Sequence, residues 1–141
     1  MMKLTYYIFF LLIVFSCNEK KSTNKLEGQW EVIKTDIKDF SLPNGCDNLN
    51  SKDVFIFDQE TFKIKDKEHC DYSYKLRGNK ITFFVSDFSF DMKIKEIQGN
   101  NLILLSKHLP ERMMIDFKEE FLNYKINGYK IYLTKIVNGL N

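Results

Sequence analysis

From Leu26 onward the apolar residues recur at every second position. Side chains on a β-strand alternate between faces, so a strand with one buried and one wet face carries this period. Phe88, Phe90, Met92 and Ile94 alternate with Ser89, Asp91, Lys93 and Lys95. The phase slips at Glu96-Ile97, which marks a β-bulge or the strand's end. Tyr72, Tyr74 and Leu76 alternate with Ser73 and Lys75, and Phe62 and Ile64 alternate with Thr61, Lys63 and Lys65. Ile81, Phe83 and Val85 share one face, opposite Thr82 and Phe84. Tyr129, Ile131 and Leu133 repeat the pattern near the end of the chain. The pattern predicts strands near 28–37, 53–58, 61–66, 71–77, 80–86, 88–97, 101–106 and 128–137, with a short one over 122–126.

Turn residues punctuate these runs. Gly78-Asn79, Gly99-Asn100 and Asn127-Gly128 each stand between two of them. Asn-Gly favours a type I′ hairpin turn, because both residues take positive φ readily. Two segments are less regular. Asp39 to Lys52 carries Pro43, Gly45, Cys46 and several Asn, and reads as a long loop covering one end of a barrel. Pro110 to Asn123 reads as a short helix, with Pro110 at its start and Met113/Met114, Phe117 and Phe121 at helical spacing. Met113, Ile115 and Phe117 also alternate as a strand would. Many short sequential strands joined by tight turns point to an all-β fold, an antiparallel up-and-down β-barrel of about eight strands, which closure leaves without open edges.

The first residues do not belong to that domain. Lys3 precedes the apolar run Tyr6 to Phe15, which ends at Ser16-Cys17. This is the layout of a secretion signal. The run is too short for a membrane span, which takes about 20 apolar residues. Val14-Phe15-Ser16-Cys17 resembles a lipobox, the signal in which a cysteine is acylated and becomes the mature N-terminus. An ordinary signal cleaved near Ser16 is the other reading. The resemblance implies a signal over 1–16, a lipidated tether over 17–25 and a folded domain over 26–141. Cys17 would carry the lipid that holds the protein on a membrane without a spanning segment. The expected location is the cell envelope at the outer membrane, with the side left open.

Charge and cysteine content fit export. The formal net charge is +2, and loss of Lys3 with the signal leaves it near neutral. That argues against a nucleic-acid binder, which shows a basic excess. With Cys17 lipidated, Cys46 and Cys70 remain, an even pair in an oxidising compartment, so one disulfide is expected.

The first strand opens Leu26-Glu27-Gly28-Gln29-Trp30. Gly-x-Trp at this place resembles the opening motif of lipocalins and of small bacterial lipocalin-like lipoproteins. The likeness in strand pattern spans roughly 26–137, but only Gly28 and Trp30 match as a motif. It implies a lipocalin-like barrel in which Trp30 packs across one end and Gly28 lets the chain bend close to it. In that family a basic residue, often Arg, covers the Trp from near the last strand. Neither Arg77 nor Arg112 is clearly placed to do so.

No arrangement for catalysis stands out. His69 and His108 are the two histidines, and no Gly-x-Ser-x-Gly elbow occurs. His69 and Cys70 are neighbours on a strand and point to opposite faces. Glu68, His69, Cys70 and Asp71 lack the spacing of a zinc site, and a disulfide beside a solvated turn accounts for them. The chain therefore reads as a protein without enzymatic activity, cofactor or metal. What remains is its aromatic load of 13 Phe, 7 Tyr and 1 Trp. Phe62, Tyr72, Tyr74, Phe83, Phe88 and Phe90 fall on the alternating apolar faces. Either they line a cavity for a small hydrophobic or amphipathic ligand, or they fill the barrel, which then meets an envelope protein through its loops.

Overall fold

The computed structural model describes residues 24–116 and 118–138. The signal segment and Cys17 lie outside the described residues. Among the described residues, ten strands and two helices follow in the order β1 (Gly28–Thr35), β2 (Phe40–Leu42), β3 (Cys46–Leu49), β4 (Val54–Phe57), β5 (Thr61–Ile64), β6 (Asp71–Arg77), β7 (Lys80–Val85), β8 (Phe88–Gln98), β9 (Asn101–Ser106), α1 (Glu111–Asp116), α2 (Lys118–Asn127) and β10 (Tyr129–Lys135). Eight of them close a barrel in the order β1-β10-β9-β8-β7-β6-β5-β4, with β4 paired back to β1. Every pairing is antiparallel. This is the up-and-down barrel that the period of two predicts. The remaining strands, β2 and β3, pair only with each other.

The burial of each strand follows its sequence alternation. In β7, Ile81, Phe83 and Val85 point inward while Phe84 faces solvent. In β6, Tyr72 and Tyr74 are buried between exposed Asp71, Ser73 and Lys75. The phase slip in β8 is a bulge: the register against β9 shifts between Ile94 and Glu96, and the strand continues to Gln98. Arg77 pairs with Lys80 and Gln98 with Asn101, so Gly78-Asn79 and Gly99-Asn100 are two-residue hairpin turns. In both, positive φ falls on the glycine and not on the asparagine. A type I′ turn would need it at both positions, so these have the pattern of type II′.

The segment 110–127 resolves against the strand reading. It forms α1 and α2, and 122–126 lies inside α2. Tyr124 packs on the core from α2, with its ring 6.4 Å from that of Tyr129. Asn127-Gly128 is therefore a helix end and not a hairpin turn. Gly128 adopts φ 78° and its N–H donates to the Tyr124 carbonyl at 2.7 Å. This is the left-handed cap that stops a helix. A Cβ at Gly128 would lie 2.9 Å from Leu105 Cγ and 3.0 Å from the Ser106 carbonyl, so β10 could not pair so closely with β9.

The two ends of the barrel differ. One end holds Asn24, the short turns at 58–60, 78–79 and 99–100, and the exit of β10. Asn24 and Lys25, assigned from the sequence to the tether, are already bound into the domain there. The Leu26 N–H donates to Asn24 Oδ1 at 2.9 Å, and Asn24 Nδ2 donates to the Tyr74 hydroxyl. The opposite end carries the β2–β3 hairpin, the 65–70 loop, the 86–87 turn and both helices.

Candidate functional site

At the Asn24 end, the Gly-x-Trp motif closes the barrel. Trp30 is buried, and its Nε1 donates to the Leu26 carbonyl at 2.8 Å. The basic residue over the indole is Lys135, which stands opposite Trp30 on β10 with its Nζ 5.3 Å from the ring centroid. Arg77 does not take this part: it pairs with Lys80 at the end of β6. Gly28 has φ 130°, and a Cβ there would meet Lys135 Cε at 2.9 Å. Glycine thus serves two ends: it supplies a backbone angle that L-residues avoid and leaves room for the lysine stem.

The barrel interior is filled with rings. Phe62 lies 5.1 Å from Phe83, 4.9 Å from Phe57 and 5.2 Å from Phe55, centroid to centroid. Tyr74 packs edge-on to Phe57 at 5.4 Å, and Phe83 stacks on Phe90 at 4.9 Å. Separations of this size are those of favourable aromatic pairs. Five of the six candidate lining residues, Phe62, Tyr72, Tyr74, Phe83 and Phe90, pack on one another in this cluster. Burial raises the Tyr72 phenol above its ordinary range, with Asp47 and Asp71 adding to the effect. Tyr74 is pushed up to about 12, chiefly by burial.

The β2–β3 hairpin plugs the other end. Phe40, Leu42, Cys46 and Leu49 are buried beneath it. Phe40 packs on Phe55 and Tyr129 at 6.3 and 6.2 Å. The Tyr72 hydroxyl donates to the Pro43 carbonyl at 2.5 Å. Cys46 and Cys70 form a disulfide, which ties the hairpin to the entry of β6. The segment read as a long loop is therefore a plug held by apolar packing, a buried hydrogen bond and a covalent bridge.

An open cleft of about 900 Å³ lies beside this plug. One wall is the hairpin, from Asp39 to Asn48; the other is formed by Phe88 and Phe90 of β8 with His108, Leu109 and Pro110. Phe88 is 49% exposed, which corrects its placement on the inner face. The alternation gave its side of the strand. Its height was set by the Ser86-Asp87 turn, which starts β8 at the rim, beyond the filled interior. Asp39 and Asp47 bring negative charge to the cleft. Burial holds the His108 pKa below its ordinary value, and nearby Asp47 opposes this only in part. The His108 N–H donates to Ser106 Oγ at 3.3 Å, which fixes the segment leaving β9.

The sequence reading chose none of the cleft residues Asp39, Pro43, Asp47, His108 and Leu109 as site candidates. One signal for the hairpin was present: Pro43-Asn44-Gly45 is turn chemistry between apolar Phe40/Leu42 and Cys46/Leu49. Nothing local marks His108 or Leu109 as its neighbours.

These features define the class as a closed, eight-stranded antiparallel β-barrel with a plugged, aromatic interior and an open cleft at its mouth. No protein-family model and no curated protein matches the chain. Among solved structures, the crystal structure of a lipocalin-like protein from Bacteroides uniformis is similar to it. The match covers 80% of this chain and 100% of that one, at 14% identity and a TM-score of 0.44.

Proposed function

We propose that the chain is a non-enzymatic lipoprotein of the cell envelope, anchored through acylated Cys17, that binds a small amphipathic molecule in the mouth cleft. The observation that carries this reading is the cleft itself. Its volume suits a small organic ligand, and it offers an apolar wall with a few polar groups at its rim. The interior is an unsuitable site, because its rings already pack on one another and the plug is bonded over them. The described residues begin at the end opposite the cleft. An anchor at Cys17 would therefore enter from the far side and leave the cleft unobstructed.

Native mass spectrometry of the protein purified from its own cells tests both halves. The expected spectrum shows a chain that begins at Cys17, bears acyl groups and carries a dissociable small molecule. Phe88→Ala should lose that molecule and keep the acyl groups. A chain retaining residues 1–16 would overturn the anchor. A ligand held equally well by the Phe88→Ala protein would overturn the site.

A second reading has one observation in its favour. Ile115, Leu122 and Ile126 on the two helices are 81%, 49% and 69% exposed, an apolar surface near the mouth. Such a surface suits an envelope protein partner that meets the module through its helices. Co-purification of a partner that Ile126→Glu abolishes would favour it.

A further inference from the structure

We propose that the barrel wall beside the tether docks on an anionic bilayer, with its basic side chains among the lipid phosphates and the mouth cleft turned away. The proposal rests on the reading of Cys17 as an acylated anchor and adds which face meets the membrane.

Strand register places the basic residues. Arg77 on β6 pairs with Lys80 on β7, and Lys80 pairs with Lys93 on β8. All three are exposed on the outer wall. Positive side chains thus stand in one row across three strands. Lys95 follows two residues after Lys93 and is exposed as well. Like charges directly opposite each other on a sheet repel and destabilise it. An anionic surface laid against the row turns that repulsion into attraction. One carboxylate stands beside the row: Asp91 Oδ2 is 3.8 Å from Lys80 Nζ. Glu96 comes next on β8, beyond the bulge. Glu27, Asp58 and Glu60 belong to the entry of β1 and the β4–β5 turn, on the far side of β6 from Lys80 and Lys93.

The tether enters at the same place. Lys25 Nζ donates to Asn79 Oδ1 at 3.3 Å. Asn79 lies in the turn between Arg77 and Lys80, and its carbonyl accepts from the Ile94 N–H at 2.7 Å. A further cation therefore meets the row at this turn, and the chain leading back to Cys17 starts beside it. That segment carries Lys20 and Lys21 against one acid, Glu19. Its length from Cys17 to Lys25 spans at most about 28 Å. An acyl chain on Cys17 holds the row within that reach of the headgroups, so docking is an intramolecular step at high effective concentration. Basic side chains next to an anionic leaflet are attracted over roughly a Debye length, about 8 Å. A neutral bilayer holds the acyl chain equally well and offers the row nothing.

The acylated protein, purified from its own cells, is placed in nanodiscs of phosphatidylcholine alone or of phosphatidylcholine with an equal part of phosphatidylglycerol. Acetylation of each lysine is followed by mass spectrometry. Exposed Lys52 and Lys65, at the opposite end, serve as references. Lys80 and Lys93 should react about tenfold more slowly on the anionic discs, with the references unchanged. Raising the salt concentration should abolish the difference while the acyl chain keeps the protein on the disc. Arg77→Glu with Lys93→Glu should abolish it at Lys80. Each new glutamate faces Lys80 across the strands, so this variant should unfold in urea at no lower midpoint than the parent. Equal rates on both discs, from protein that bears its acyl groups, would overturn the docked face and leave the anchor standing. Protein without an acyl group would overturn the anchor and the docked orientation with it. Protection of Lys80 and Lys93 already present in detergent solution would show that a second copy or another protein covers the row, and would overturn the bilayer as its partner.

Discussion

The Gly28–Lys135 contact allows a quantitative test of how the barrel end is built. Gly28→Ala places a methyl group 2.9 Å from Lys135 Cε and forces alanine into φ 130°. A backbone angle of that kind costs a non-glycine residue about 1–3 kcal/mol. The methyl contact falls near the far end of a flexible side chain, so the lysine moves and the strand pairing stays. In moving it leaves the Trp30 ring, where its Nζ sits 5.3 Å from the centroid. That loss adds about 0.5–1 kcal/mol. The total expected for Gly28→Ala is therefore about 1.5–4 kcal/mol. In a Lys135→Ala background the steric and cation–π parts are gone, and only the backbone part remains. The double-mutant cycle should thus show a coupling of about 0.5–1 kcal/mol. Urea unfolding reports it directly, because Trp30 is the one tryptophan of the chain and is buried in the fold. A Gly28→Ala cost below about 0.5 kcal/mol would refute the left-handed backbone at position 28. An equal cost in both backgrounds would refute the packing of Lys135 against Gly28 and Trp30.

Two further outcomes follow from the plug and the buried phenols. Cys46→Ser with Cys70→Ser should lower stability by about 3–4 kcal/mol, since the bridge closes a loop of about 25 residues in the unfolded chain. Amide exchange should then quicken first in β2 and β3, and an unchanged urea midpoint would show that the bridge contributes nothing. For Tyr72, Tyr74 and Tyr129, burial is the leading cause of a pKa raised above the ordinary 10.0. The unfolded chain therefore loses these protons first. Their contribution to stability is complete below about pH 10 and is lost as pH rises through the interval up to the folded values, about 12 for Tyr74. Phenolate absorbance should appear together with unfolding above pH 10. Early, independent titration of all tyrosines with the barrel intact would contradict their burial.

The alternation of apolar and polar residues determined the strands, their inward faces and the fold class. The pleat is local: once a segment is extended, neighbouring side chains must point to opposite sides. The hairpin turns at Gly78 and Gly99 were legible for the same reason, since backbone angles that need glycine leave a mark in the sequence. The Cys46–Cys70 pairing was legible from cysteine arithmetic together with the expectation of export. Choices that depend on distant parts of the chain were not. Residues 122–126 alternate well enough for a strand, yet they form a helix that packs Tyr124 on the core and is capped by Gly128. Lys135 could be identified as the cover for Trp30 only once the register of β1 on β10 was known, because a lysine on a strand looks like any wet position. The cleft shows the limit most clearly. Its walls come from segments near residues 40, 90 and 109, and whether Phe88 stands inside the barrel or on its rim depends on where that rim falls. Sequence alone determined which side of each strand is apolar. Barrel closure decided which residues meet and at what height, because strand register is a non-local balance of packing across the whole sheet.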